Sequence, residues 1–187
     1  MNPSDTALLV IDVQEKLWPH ISHRDLLGPR LEMLVEGARI LQVPTLATEQ
    51  YVRGLGPTIE PLASRLPTRI EKTDFSAGTE SNILAQLDRP GIRKVLLCGI
   101  ETHVCVQQTS LDLLAQGFQV YVAVDAVGSR SPLDRKIALE RMQASGVLLT
   151  TVESVLFEWT RVAGTATFKE VSALVKKYPP ILVWPEA

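Results

Sequence analysis

The amino-acid sequence predicts an α/β fold: three layers, α/β/α, around a doubly wound and mostly parallel sheet of about six strands. Two patterns carry that prediction. Short apolar runs alternate with amphipathic segments along the chain. Several runs are unbroken blocks of Val, Leu and Ile, which is how strands buried on both faces of a parallel sheet read. With 187 residues and no repeat, low-complexity tract or linker, residues 1–187 are expected to form one domain with a full core.

The elements follow in order. Ala7–Val13 is the first strand candidate. Leu31, Leu34, Val35, Ala38 and Leu41 form the apolar stripe of a first helix, with Pro29 near its start. Pro44–Thr48 and Arg69–Lys72 are the next strands. Thr79 is placed to cap a helix bearing Ile83, Leu84 and Leu87, which Asp88-Arg89-Pro90-Gly91 stops. Val95–Ile100 is the fourth strand; in the helix after it, Leu111, Leu114 and Ala115 share a face and Gly117 supplies the C′ glycine. Gln119–Val124 and Val147–Val152 complete the set, separated by a helix that Ser131 caps and Pro132 opens. Thr167-Phe168-Lys169-Glu170 reads as the capping box of a last helix, with Val171, Leu174 and Val175 on one face and Pro179 and Pro180 ending it. Right-handed crossovers make the Rossmann-like order 3-2-1-4-5-6 the simplest, with strands one and four adjacent at the switch point.

Charge and cysteine usage narrow the function classes. Net charge is −2 with both signs interspersed, so neither nucleic acid nor an anionic membrane is an expected partner. Two cysteines, Cys98 and Cys105, are too few for a disulfide framework and read as reduced cytoplasmic thiols. The first apolar run ends at Asp12 and no basic region precedes it, unlike a secretory signal. No apolar run approaches the roughly 18 residues of a membrane span, so a cytoplasmic location is expected.

In open parallel sheets ligands bind beyond the carboxyl ends of the strands, so polar residues just after strands are the candidates. Asp12 follows the first strand, Lys72 closes the third, and Glu101 to Cys105 follow the fourth. Cys105 then falls in the opening turn of a helix, where unpaired N–H groups and a partial positive charge favour thiolate. An ammonium at Lys72 adds to that, and a carboxylate at Asp12 can move the proton. Lys72 lies on a strand farther out and must reach inward. Taken singly each residue has a plainer role: buried packing for Cys105, a loop or helix cap for Asp12, an edge lysine for Lys72. Cys98, inside a strand, reads as core. There is no G-x-G-x-x-G after the first strand, no P-loop and no G-x-S-x-G elbow. His20, His23 and His103 form no metal-ligand cluster; His103, two residues before Cys105, faces either the pocket or solvent.

These segments resemble the isochorismatase-like cysteine hydrolases. The matching stretches are Leu8-Leu9-Val10-Ile11-Asp12-Val13-Gln14, Glu71-Lys72-Thr73-Asp74-Phe75-Ser76, Cys98 through Val106, Val124 through Ser131 and Gly146 through Ser154. Thr48-Glu49-Gln50-Tyr51, with Gly54 to Thr58, is similar to the isochorismatase domain-containing subgroup. The resemblance implies a triad of Asp12, Lys72 and Cys105, a cis peptide between Ile100 and Glu101, and an oxyanion hole from the backbone N–H groups of Glu101 and Cys105. Relatives that hydrolyse nicotinamide carry an aspartate and histidines after the second strand, where this chain has Glu49-Gln50-Tyr51, so no catalytic metal and no cofactor are expected. True isochorismatases lack the cysteine, so the thiol points to C–N bond cleavage in a small carbonyl compound through a thioester. Trp18, Gln50, Tyr51, Phe75 and His103 are candidates for the substrate pocket. A catalytically weak binding protein of the same fold is the alternative, motivated by the acidic Glu101 beside the oxyanion hole. A homo-oligomer, dimer or higher, is expected from the resemblance, and the apolar tail Ile181-Leu182-Val183-Trp184-Pro185 is a candidate contact.

Overall fold

The computed structural model describes residues 1–67 and 69–181. Its elements are β1 (Thr6–Ile11), α1 (Arg24–Ile40), β2 (Thr45–Gln50), α2 (Val52–Leu55), β3 (Ile70–Lys72), α3 (Ser81–Leu87), β4 (Lys94–Ile100), α4 (Gln107–Ala115), β5 (Gln119–Gly128), α5 (Pro132–Ala144), β6 (Leu148–Thr150), α6 (Val152–Thr160) and α7 (Ala166–Lys177). The strands form one sheet in the order β3-β2-β1-β4-β5-β6, and every pairing is parallel. Thus β1 and β4 are neighbours at the switch point, as their sequence order predicts.

Side chains alternate across the pleat and divide the core in two. Leu8 and Val10 of β1, with Leu96, Cys98 and Ile100 of β4, pack under α1, α6 and α7. Ala7, Leu9 and Ile11, with Val95 and Leu97, pack under α3, α4 and α5. Cys98 is fully buried in the first of these layers, as core. The two central strands approach closely at Gly99, which pairs with Ile11. A Cβ there would lie 2.1 Å from the Ile11 carbonyl oxygen, and its φ of +114° suits glycine alone.

Several local expectations are corrected. Pro29 lies inside α1 rather than near its start, and left-handed His23 precedes the helix. Glu80, not Thr79, occupies the α3 N-cap; the Thr79 hydroxyl donates instead to Asp74 Oδ2 and the Ser76 carbonyl. Thr165 rather than Thr167 caps α7, accepting from Phe168 N. Helix α4 buries Thr109, Ser110 and Leu113, turning the predicted Leu111–Ala115 face only partly inward. Burial of those hydroxyls is tolerated because each is bonded: Thr109 Oγ1 accepts from Ala77 N at 2.9 Å and Ser110 Oγ donates to Val106 O at 2.8 Å. The sixth strand ends at Thr150, and Val152 opens α6. Ser131 caps α5 with Pro132 at its start, and Gly117 (φ +88°) follows α4. Among the described residues no helix is long and apolar enough to cross a membrane. Leu182–Pro185 of the tail lie outside the described residues.

Candidate active site

Because all six strands run the same way, their carboxyl ends share one edge of the sheet. Asp12 leaves β1 there with a left-handed φ of 51°, a conformation that Asp adopts more readily than most residues. Lys72 ends β3, and its extended side chain crosses β2 to place Nζ 2.7 Å from Asp12 Oδ2. Both side chains have no exposed surface. A buried ion pair must satisfy its remaining hydrogen-bonding capacity to be tolerated, and this one does. Lys72 Nζ also has Gln50 Oε1 at 2.7 Å and the carbonyls of Phe75 and Asp74 at 3.0 and 3.1 Å. On the other side, Thr48 Oγ1 donates to Asp12 Oδ1 at 2.7 Å.

Cys105 sits beyond β4, in a single π-helical turn, Thr102–Val106, that leads into α4. Such turns occur frequently at functional sites. Before it lies a cis peptide between Ile100 and Glu101. Cys105 is 5% exposed, and its thiol interacts with the Asp12 carboxylate and the Lys72 ammonium. The three residues from three strand ends therefore meet in one buried cluster.

The electrostatics differ from the expectation of a ready thiolate. Burial pushes the Cys105 thiol up to about 12, the Asp12 charge adds to that, and the Lys72 ammonium opposes both. Burial and the Asp12 charge together outweigh the Lys72 ammonium and favour the protonated thiol.

The remaining predicted residues have varied places. Gln50 braces the lysine; its Nε2 donates to Thr73 O at 2.6 Å, which fixes Oε1 toward Lys72. Tyr51 and Phe75 flank Lys72 through their backbones: Tyr51 N donates to Lys72 O at 2.9 Å, and Phe75 O accepts from Nζ. Their side chains are 52% and 54% exposed at that edge. Trp18 is half-buried against the core layer that holds α1. His103 points toward β5, with Nδ1 3.0 Å from Ser129 Oγ and Nε2 4.0 Å from Asp134. Glu101 accepts from Arg130 N at 2.9 Å and lies 3.6 Å from that guanidinium. Its carboxylate thus has protein partners of its own.

Thr48 and Gln14 are members of the cluster that residue patterns did not single out. Gln14 Nε2 donates to the carbonyls of Gln50 and Gly56, while its Oε1 accepts from Gln50 N, tying the segment after β2 to the site. Glu49 accepts from the Thr58 amide and hydroxyl, both at 2.7 Å, and lies 3.5 Å from Arg69. Those contacts all fall on Oε1 of Glu49, which lies inside β2. Among the described residues no cluster of three His, Cys, Asp or Glu side chains is arranged to hold a metal ion.

A separate cavity of about 640 Å³ opens beyond β5 and β6, and its walls include Arg30, Asp125 and Arg135. Its lining does not include Asp12, Lys72 or Cys105, and the charged side chains of Arg30, Asp125 and Arg135 have partners within the fold. Arg30 donates to Pro179 O, Asp125 accepts from Val152 N, and Arg135, pushed down to about 10 by burial, donates to the carbonyls of Val124 and Val127.

Residues 6–154 match the family model described as the isochorismatase domain. This chain belongs to the isochorismatase family. The chain is 43% identical to isochorismatase domain-containing protein 2 of Bos taurus, over 95% of this chain and 86% of that protein. A solved structure described as the MAR1 ribonuclease of Caenorhabditis elegans is 38% identical, with a TM-score of 0.91 over 100% of this chain and 98% of that one. YcaC from Pseudomonas aeruginosa, described with hexane-2,5-diol and covalent acrylamide, is 25% identical, with a TM-score of 0.85 over 95% and 94% of the two chains.

Proposed function

We propose that the protein is a metal-independent cysteine hydrolase that cleaves a C–N bond of a small carbonyl compound through a thioester. One observation carries this: a buried thiol beside a buried carboxylate that a buried ammonium holds at 2.7 Å. Because burial favours the protonated thiol, attack and proton transfer go together. As Cys105 Sγ bonds the substrate carbonyl carbon, its proton passes to Asp12. The backbone N–H groups of Glu101 and Cys105 receive the oxyanion, each such donor being worth about 3 kcal/mol in the transition state. Asp12 then gives its proton to the departing nitrogen, the C–N bond breaks, and a thioester remains. Water, losing a proton to Asp12, adds to the thioester carbon; the C–S bond breaks, the acid leaves, and the proton returns to sulfur. Lys72 holds Asp12 in place and offsets negative charge throughout.

The covalent acrylamide described for YcaC supports an electrophile-accessible group in a relative of this fold. RNA is the alternative substrate class suggested by the description of the Caenorhabditis elegans relative. A net charge of −2 with interspersed signs favours the small molecule, since RNA binding draws on a basic stripe or groove. The carboxylate of Glu101, engaged by Arg130, gives no support to a blocked, binding-only site. Homo-oligomeric assembly is part of this proposal and is measured by light scattering.

The test is ammonia release from a panel of small amides, carbamoyl compounds and ureides, beside RNA cleavage, with the wild type and Cys105→Ala. The proposal expects an amide-type substrate whose turnover the variant loses by at least about 10³-fold while keeping the fold. RNA cleavage that Cys105→Ala leaves intact, with no ammonia released by the wild type, would overturn it.

A further inference from the structure

Strand β2 lies between the strands that end at Asp12 and Lys72, and it presents Thr48 and Gln50, two residues apart, to the same side. Each meets one member of the charge pair: Thr48 Oγ1 donates to Asp12 Oδ1 at 2.7 Å, and Gln50 Oε1 accepts from Lys72 Nζ at 2.7 Å. An ammonium has three protons, and Lys72 has four acceptors within 3.1 Å: Asp12, Gln50, Asp74 O and Phe75 O. None of these is sulfur, so the lysine is committed to Asp12 Oδ2 and the loop after β3. The other carboxylate oxygen depends on Thr48.

Resting on the hydrolase reading above, we infer that Thr48 is a positioning residue for Asp12. Its hydroxyl hydrogen-bonds Asp12 Oδ1 and fixes the carboxylate plane beside the Cys105 thiol. A hydroxyl does this and a methyl cannot, although Val and Thr have nearly the same shape. The backbone frame is already rigid: Asp12 N donates to Thr48 O at 3.2 Å, and Thr48 is 1% exposed. The charged or titratable groups around Asp12 are Lys72 from β3 and, from the segment after β4, Cys105 with Glu101 behind it, the latter engaged by Arg130. Thr48 adds a hydroxyl donor to this set.

The experiment needs no substrate. Iodoacetamide alkylation of Cys105 is followed by peptide mass spectrometry against pH in the wild type, Thr48→Val, Thr48→Ser and Asp12→Asn, with Cys105→Ala as blank. Fully buried Cys98 is read on its own peptide. In Thr48→Val the acid limb of the profile moves up by about one pH unit, so the rate on that limb falls about tenfold, while Thr48→Ser stays within about twofold of wild type. A packing role gives the reverse ranking, because Ser loses the methyl and Val keeps the volume, and it lowers the rate at every pH without moving the limb. Either result overturns the inference. Thr48→Ala replaces Thr48→Val where the latter does not fold, with the same expected limb. Should Asp12→Asn leave the wild-type profile unchanged, the hydrolase reading fails with it. Should Asp12→Asn move the limb down while Thr48→Val matches wild type, only the role of Thr48 falls.

Discussion

Replacing Lys72 by Met removes one charge from a pair in which neither side chain has exposed surface. Breaking a buried pair from one side costs about 3–5 kcal/mol, because the remaining charge is left desolvated and unpaired. Asp12 would keep Thr48 as its side-chain donor, and three further acceptors, Gln50 Oε1 and the carbonyls of Asp74 and Phe75, would lose their donor. The loss therefore belongs at the upper end of that range. For a chain of 187 residues each kcal/mol moves Tm by about 2–4 °C, so a fall of about 10–20 °C is expected. Asp12→Asn removes the other charge but leaves Lys72 with those same three acceptors and an amide oxygen in place of the carboxylate. It should cost less, about 1–3 kcal/mol. Urea unfolding followed by far-UV circular dichroism, with m unchanged, reads both. A Lys72→Met loss below about 1 kcal/mol, or a larger loss for Asp12→Asn, would refute the reasoning.

Two further outcomes concern the thiols and the central glycine. Burial raises both thiols, Cys105 to about 12, so above the ordinary 9.0 the folded chain keeps protons that the unfolded chain releases. Stability should be unaffected by these groups below pH 9 and fall between 9 and about 12, and the fall should be smaller in a Cys98→Ala, Cys105→Ala variant; urea midpoints against pH test this, and equal slopes would contradict it. Gly99→Ala places a Cβ 2.1 Å from the Ile11 carbonyl oxygen at a positive φ, between the two central strands, and should cost about 3 kcal/mol or more, seen as a lowered Tm or loss of soluble protein.

The fold was largely legible because central strands of a parallel sheet have little choice of residue. Leu8-Leu9-Val10-Ile11 and Val95-Leu96-Leu97 are buried on both faces, and no other element explains such runs. The strand-end rule then brought Asp12 and Cys105 together. Helix faces were less legible where tertiary partners rescue polar groups: Thr109 is buried because Ala77 N needs an acceptor, which no periodicity in α4 reveals. The run Val147–Val152 reads as one strand, yet its end becomes α6 where Val152 N meets Asp125 Oδ1 at 2.9 Å.

Within the site, residue type was legible and environment was not. The charges of Lys72 and Asp12 can be read from sequence, but the thiol's resting state depends on burial and on which carboxylate touches it. The helix terminus and Lys72 favour thiolate, whereas burial and the Asp12 charge push the thiol up. Thr48 was hidden for a related reason. A threonine in a strand is ordinary by β propensity, and only the 2.7 Å contact across to β1 gives it a role. Gln50 was legible as a site residue but as pocket wall, whereas its amide braces Lys72.

The most direct measurement is acid-quenched peptide mass spectrometry during turnover of whichever amide the ammonia screen selects. The account predicts a mass increment equal to the acyl group on the peptide containing Cys105, none on that of Cys98, and no adduct in Cys105→Ala. Undiminished ammonia release by Cys105→Ala, with no acyl adduct on the wild-type peptide, would contradict it.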